Sequence, residues 1–229
     1  MIFTRVASGI AAAATAAVLL FAPPAQAMTK IERVVSPGGI EAWLVREPSV
    51  PLIAMEFSFK GGANQDPAGK PGVAYMMASM LDEGAGDLDS KAFQARVERN
   101  AVELSFRASR DDIRGTLKVL ASRQAEGFDL LRLALNAPRF DKEPVERIRA
   151  QMITALKRDT TSPNHIGSHL WWRTAFPNHP YSLPTNCTLE SVPEIVRDDL
   201  VSYAGNVLAR DNLKIGVVGD IDAKQLGEV

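Results

Sequence analysis

The sequence predicts an α+β fold in a single domain, with about six strands in a mainly antiparallel sheet packed against several helices. Residues 52–60 alternate apolar and polar side chains, which is typical of a half-buried strand. Apolar residues in the segment 73–81 recur instead at helical spacing. Strands and helices come in blocks along the chain, and this order favours α+β over a regular βαβ alternation.

The six strands are predicted from short alternating or apolar runs that lie between turn residues. The first two flank the turn Pro37-Gly38-Gly39, and the last is an apolar run closed by Gly219-Asp220. The predicted strands are residues 31–36, 39–46, 52–60, 102–106, 113–121 and 213–218.

The helices are predicted from apolar spacing and from the residues that begin or end them. Gly84-Ala85-Gly86 is expected to end the first helix, and Asp87 or Asp89 to cap the second, which runs to about residue 99. Pro138 ends the third helix, and Pro144 lies in the first turn of the fourth, where a missing N–H is tolerated. Besides that second helix, the predicted helices are residues 73–81, 128–136, 142–158, 163–176 and 198–208.

Composition excludes several classes of protein. Of 229 residues, 46% are hydrophobic and 23% are charged, so the chain can bury a core and is not a disordered tail. The formal net charge of -1 argues against nucleic-acid binding, which relies on a strongly basic surface. Cys187 is the single cysteine, which excludes an internal disulfide framework and a cysteine-based metal cluster.

The first 27 residues read as a signal peptide. Arg5 supplies the positive end, residues 10–22 form an alanine-rich apolar run, and Ala25-Gln26-Ala27 has the small-x-small form of a cleavage site. The apolar run is shorter than the roughly 20 residues that span a bilayer, although a retained N-terminal anchor is the alternative. We therefore expect export, to a bacterial periplasm, and a mature domain of residues 28–229 with no retained membrane segment.

Several blocks of the mature chain, taken in order, carry a family resemblance. They include Phe59-Lys60-Gly61-Gly62-Ala63, the helical segment 72–81, and His179-Pro180-Tyr181. Further blocks follow at residues 188–191, 197–200 and 212–220. In this order they resemble the insulinase-like M16 metallopeptidase family, and the resemblance extends from about residue 31 to the end of the sequence. It implies one half-unit of the N-terminal type, without the C-terminal half of the usual two-half chain.

Active members of that family carry H-x-x-E-H on the helix that follows this glycine-rich loop. Two histidines at i and i+4 can bind one Zn²⁺, and the glutamate between them activates the metal-bound water. The resemblance places Tyr75 and Ser79 at the two histidine positions and Ala78 at the position of the base. None of the three can perform the corresponding role, since no imidazole or carboxylate is present.

The family takes its third zinc ligand, a glutamate, from a later helix, seven residues after a glutamate that opens a Glu-Arg pair. Glu146-Arg147 matches that pair, and the position seven residues after Glu146 is Ile153. No histidine precedes His165, so shifting the motif along the chain does not restore it. We expect no catalytic residue, no metal ligand and no cofactor in this chain, although zinc is the family cofactor.

Many members of the family work in pairs, in which a subunit without zinc completes the chamber around the peptide. The resemblance therefore implies a non-catalytic subunit with a zinc-bearing homologue as hetero-oligomer partner and a peptide substrate reached through that partner. The catalytic half of such a pair adds the peptide as a strand to a sheet edge. No substrate-binding residue is assigned here. A truncated fragment without function and an active peptidase with unusual ligands are the two alternatives.

Histidines offer the other candidate metal site. His165 and His169 stand at i and i+4 near the start of a predicted helix, and His179 follows downstream. Three neutral imidazoles could form a new metal site. Alternatively, His165 and His169 lie on a solvated helix face. Residual metal binding at this pair remains open.

Three other groups of residues each allow a functional and a structural interpretation. Met76, Met77 and Met80 could line a peptide groove, but their spacing favours core packing. Asp82 and Glu83 could form an acid–base pair, but adjacent helical residues point apart. Trp171 and Trp172 are interpreted as one buried and one rim aromatic rather than as an interface anchor.

Overall fold

A computed structural model describes residues 30–229 of the chain. The predicted signal peptide, residues 1–27, lies outside the described residues. In the part of the chain that the structure describes, no helix is both long and apolar enough to cross a membrane.

Six strands form one mixed sheet, as predicted from the sequence. The strands are β1 Ile31–Val35, β2 Glu41–Arg46, β3 Leu52–Lys60, β4 Glu103–Ala108, β5 Asp112–Leu120 and β6 Leu213–Gly219. Their order across the sheet is β1-β2-β6-β3-β5-β4, so the last strand in sequence lies between the second and the third. β2 and β6 run parallel, and the other four pairings are antiparallel.

Seven α-helices accompany the sheet within residues 30–229. They are α1 Val73–Ala78, α2 Ser90–Arg99, α3 Gln124–Asn136, α4 Lys142–Asp159, α5 Pro163–Ala175, α6 Arg197–Val207 and α7 Ala223–Glu228. Asp89 caps α2 by accepting the N–H of Ala92 at 2.8 Å, which decides between the two predicted caps. The fold is therefore α+β, as predicted.

The two faces of the sheet differ in what covers them. In β3 the side chains of Ile53, Met55, Phe57 and Phe59 are buried in a single core with helical residues. The alternate residues of each strand form the second face, which we call the open face, and most of them are exposed or half-buried. Within residues 30–229, the helices thus leave one side of the sheet accessible.

The structure differs from the predicted elements mainly at three boundaries and in one additional helix. The first helix ends at Ala78 and not at residue 81, because the chain continues in tighter turns in which Met80 and Leu81 bond to carbonyls three residues back. The third helix begins at Gln124, four residues earlier than predicted. The strand predicted at residues 102–106 spans Glu103–Ala108, and α7 was not predicted at all.

Candidate functional site

The helix at the family's metal position, α1, begins at a glycine with a special backbone. Gly72 precedes it with φ of 99°, and a Cβ there would collide with the backbone and Sγ of Cys187. The carboxylate of Asp66 accepts the N–H groups of Gly72 and Ala74 at 2.6 and 2.7 Å. The loop that contains Asp66 and the irregular segment around Cys187 therefore together fix the position at which α1 starts.

Asp66 is half-buried, and this burial affects the pKa of its carboxyl. Burial raises the pKa of Asp66 to about 6, while the two backbone N–H donors act in the opposite direction. The same environment raises the pKa of the Cys187 thiol to about 12, mainly by burial and secondarily through the charge of Asp66. Cys187 is therefore a buried, unreactive thiol.

The sequence did not predict the role of Asp66, because the fold of the loop decides which backbone N–H groups reach its carboxylate.

Two of the positions carried over from the family lie on the accessible side of α1. Tyr75 is 39% exposed. Ser79 is half-buried just after the helix, and its hydroxyl donates to the carbonyl of Tyr75 at 2.9 Å. The serine hydroxyl hydrogen is thus used within the turn. Tyr75 and Ser79 stand one turn apart, as the two histidines of the motif would, but they offer a phenol and a hydroxyl.

The position of the catalytic base lies on the buried side of the same helix. Ala78 is 1% exposed, and Met76, Met77 and Met80 are fully buried in the core. Core packing of the three methionines, which the sequence predicted, is confirmed. A carboxylate at residue 78 would enter this apolar environment, whereas the methyl group of Ala78 fits it.

The fourth position lies on α4. Ile153 is half-buried and packs against the core. Its neighbour Met152 has its Sδ 3.9 Å from the Sγ of Cys187, and that thiol donates to the carbonyl of Gly72 at 3.5 Å. α4 therefore approaches the start of α1, and the side chain at residue 153 is an aliphatic one.

Asp82 and Glu83, the acidic pair after α1, lie in different environments. One oxygen of Glu83 accepts from Arg147 Nη2 and from the Ser90 hydroxyl, each at 2.5 Å. Burial raises the pKa of Asp82 to about 6, and the negative charge of Glu83 adds to the effect. Glu83 thus ties the segment after α1 to α4 and α2, which gives Glu83 a structural role.

The three histidines do not converge. His165 and His169 line a groove of about 450 Å³ between the end of α4, α5 and residues 186–190, and His165 Nε2 lies 3.6 Å from Asp159 Oδ1. His179 instead accepts the N–H of Tyr181 at 3.1 Å. Over residues 30–229, no group of three or more His, Cys, Asp or Glu side chains is placed to hold a metal ion.

An aromatic clasp joins α5 to the β4–β5 turn. The guanidinium of Arg110 lies 3.7 Å from the ring centroid of Trp172, and the hydroxyl of Tyr181 donates to the carboxylate of Asp111 at 2.7 Å. Trp171 is 57% exposed and Trp172 half-buried, so the prediction of one buried tryptophan was wrong. The reason is that α5 has no buried residue and lies on the surface, held by this clasp.

Comparisons with known proteins place this arrangement in a family. The family model described as Insulinase (Peptidase family M16) matches residues 43–189. The "Non-peptidase homolog YmxG" of Helicobacter pylori (strain ATCC 700392 / 26695) is 26% identical over 176 residues, covering 77% of this chain and 41% of that protein. The mitochondrial cytochrome b-c1 complex subunit 1 of Saccharomyces cerevisiae (strain ATCC 204508 / S288c) is 29% identical over 142 residues, covering 60% of this chain and 31% of that protein.

Solved structures share the fold. A peptidase M16 inactive domain from Pseudomonas fluorescens superposes with a TM-score of 0.82 at 22% identity, covering 86% of this chain and 48% of that one. A protease from Helicobacter pylori gives a TM-score of 0.77 at 18% identity, covering 87% and 48%. The chain thus spans about half the length of the relatives it matches, or less. With the family model covering more than half of its residues, this chain belongs to the insulinase family of peptidases, family M16.

Proposed function

We propose that this chain is a catalytically inactive member of family M16 that acts as the non-catalytic subunit of a peptidase pair. The observation that carries the proposal is the set of side chains at the four family positions. Tyr75, Ala78, Ser79 and Ile153 provide no imidazole and no carboxylate, so neither the zinc ion nor the attacking water has its usual partners.

The names of its relatives support this proposal. The Helicobacter protein is called a non-peptidase homologue, and the Pseudomonas structure is called an inactive domain. The yeast relative is a subunit of the cytochrome b-c1 complex, which supports a place in an assembly. The partner we propose is a zinc-bearing M16 homologue that binds the peptide substrate. Export to a bacterial periplasm is part of the same proposal and is supported by residues 1–27 alone.

Zinc content is the measurement that tests the proposal first. The full chain is expressed with its leader, purified from the cell envelope, dialysed and analysed for metal. We expect far less than one zinc per chain and no cleavage of peptide libraries. About one zinc per chain together with peptidase activity would contradict the proposal, and His165 and His169 would then be the first residues to substitute.

A matched gain-of-binding variant makes the result specific to the family positions. The triple substitution Tyr75→His, Ser79→His and Ile153→Glu restores the three ligand types on α1 and α4. We expect this variant to retain about one zinc per chain under conditions in which the native chain retains none. Co-purification of a zinc-bearing homologue with the native chain tests the partner, and a chain isolated from its source only as a monomer would contradict it.

A further inference from the structure

Two histidines and an aspartate line one groove at the junction of α4 and α5. His165 and His169 are four residues apart on α5, and Asp159 is the last residue of α4. All three contribute to the groove of about 450 Å³. None of them occupies one of the four family positions. Imidazole and carboxylate groups are side chains that bind divalent transition metals, so this group of residues needs a chemical explanation of its own.

The turn between the two helices holds Asp159 beside the first turn of α5. Only residues 160–162 separate α4 from α5. The N–H of Ser162 donates to the carbonyl of Asp159 at 3.1 Å, which closes the turn. The N–H of Ile166 donates to the carbonyl of Ser162 at 3.0 Å, so α5 begins directly after it. The backbone therefore keeps the carboxylate of Asp159 close to the imidazole of His165.

The distance between these two side chains is that of two ligands of one metal ion. His165 Nε2 lies 3.6 Å from Asp159 Oδ1, which is too long for a hydrogen bond. In a tetrahedral site with metal–ligand bonds of about 2.1 Å, two ligand atoms are about 3.4 Å apart. A protonated His165 forms an ion pair with Asp159 at the same distance, so a metal ion must displace that proton in order to bind.

His169 supplies a third ligand when its side chain turns toward this pair. Residues at i and i+4 of a helix lie on one face, with Cβ atoms about 5–6 Å apart, and two such histidines can bind one ion. Within residues 30–229, no three such side chains already stand in ligand positions, so His169 must change its rotamer when the ion binds. His169 is exposed and α5 buries no residue, which leaves this side chain free to turn.

We propose that Asp159, His165 and His169 bind one divalent transition-metal ion, with Zn²⁺ as the probe, and that the ion joins α5 to the end of α4. Water fills the fourth position, because the groove is open to solvent. The clasp holds α5 near Trp172, and the metal ion holds its first two turns.

This site is separate from the zinc site of the family. Asp159 lies six residues beyond Ile153 on α4, which is about 9 Å further along the helix. The side chain of His165 is 48% exposed, so the ion exchanges with solvent and is removed by dialysis. The low zinc content expected of the dialysed native chain is therefore unchanged, and this proposal does not depend on the proposed function.

Calorimetric titration of the untagged full chain with Zn²⁺, after removal of bound metal, tests the site. We expect one Zn²⁺ per chain. His165→Ala and His169→Ala should each weaken binding by at least about tenfold, because even the loss of a group that only orients a ligand costs about 10–100-fold. Asp159→Asn, which keeps the side-chain shape and removes the charge, should weaken binding to a similar extent.

His179→Ala is the matched control, because this imidazole accepts the N–H of Tyr181 and does not line the groove. We expect it to leave the affinity for Zn²⁺ unchanged. Thermal unfolding of each variant without metal checks that the fold is intact. The proposal is overturned by the absence of saturable Zn²⁺ binding, by an affinity that His165→Ala, His169→Ala or Asp159→Asn leaves unaltered, or by an equal loss in His179→Ala.

Limited proteolysis tests whether the ion joins the two helices. At ten times its dissociation constant, Zn²⁺ should slow cleavage within residues 160–162 of the native chain about tenfold, because the bound state must release the ion before the turn opens. The same concentration should give no protection in His165→Ala and full protection in His179→Ala. Zn²⁺ that binds the native chain without slowing this cleavage would show that the ion does not hold α5 to α4.

Discussion

At the scale of single residues, a partly buried carboxylate, that of Asp66, holds the start of α1, the helix at the family's metal position. Asp66 bonds two backbone N–H groups at the start of α1, and it is held in an environment that disfavours its charge. Asp82 has a similarly raised pKa just after the same helix. An aspartate at each end of the α1 region therefore has a higher pKa than an exposed aspartate.

The raised pKa values of Asp66 and Asp82 predict an unusual dependence of stability on pH. Each carboxyl has a pKa of about 6 in the folded chain and 3.8 in the unfolded chain. As the pH falls, it therefore binds a proton at a higher pH in the folded state than in the unfolded state. The free energy of unfolding should therefore rise as the pH falls from 7 to 5, by about 1 kcal/mol for each carboxyl. Urea denaturation at the two pH values measures this change.

Asp66→Asn provides the control for the pH effect, because it removes one titrating group and keeps the side-chain shape. The variant should show a smaller gain in stability on going from pH 7 to pH 5 than the native chain. Equal pH dependence of the two chains would mean that Asp66 titrates in its ordinary range.

At the scale of elements, α1 is a short helix whose position is set by close contact at its first turn. Gly72 lies against Cys187, Asp66 accepts from the turn, and the residues beyond Ala78 continue as tight turns that bury Met80 and Leu81. Six residues would form no helix on their own. The helix therefore exists because of its tertiary contacts.

A pair of glycines tests this dependence on packing. Gly72 and Gly69 both have positive φ, 99° and 78°, but a Cβ meets Cys187 at Gly72 and nothing within 4 Å at Gly69. Gly69→Ala should cost about 1 kcal/mol from backbone strain, and Gly72→Ala should cost at least about 2 kcal/mol more through the collision. Denaturant unfolding of both variants gives the difference, and equal costs would show that the loop moves aside.

The aromatic clasp makes a second prediction at this scale. Trp172 stacks under Arg110 and contacts Phe176 at a ring distance of 5.3 Å, whereas Trp171 is mostly exposed. Trp172→Ala should destabilise the chain by about 2 kcal/mol, and Trp171→Ala by less than about 1 kcal/mol. Proteolysis between α5 and residue 190 should increase in the first variant alone. Similar losses in both would contradict a specific role of the clasp.

At the scale of the whole molecule, the sequence predicted the architecture well because periodicity is a local signal. The alternation in β3 and the apolar spacing around the methionines each follow from which side chains face the core, and both were confirmed. The order β2-β6-β3 could not be predicted in this way, since it depends on contacts between residues far apart in sequence. The prediction that one of Trp171 and Trp172 is buried was wrong for the same reason, because the sequence of α5 does not tell which element would cover it.

The candidate site was predictable only where a motif exists. Tyr75, Ala78, Ser79 and Ile153 followed from the resemblance, and the absence of zinc at these positions remains a prediction for metal analysis. Other contacts join residues from separate elements, and no spacing in the sequence predicts them. They are those of Asp66, the Glu83–Arg147 pair and the Arg110–Trp172 stack. A depression on the open face beside Trp43 and Gly216 likewise depends on the register between strands.

The place of β6 determines when this half-unit can fold during its synthesis. Among the described strands, β1 and β2 are joined to β3, β5 and β4 only through β6, and residues 121–212 separate β6 from β5 in the sequence. Until that strand has left the ribosome, β2 and β3 each present an unpaired edge of the kind that aggregates. The sheet can therefore close only after β6 has been synthesised, and the edges of β2 and β3 must be shielded from other chains until then.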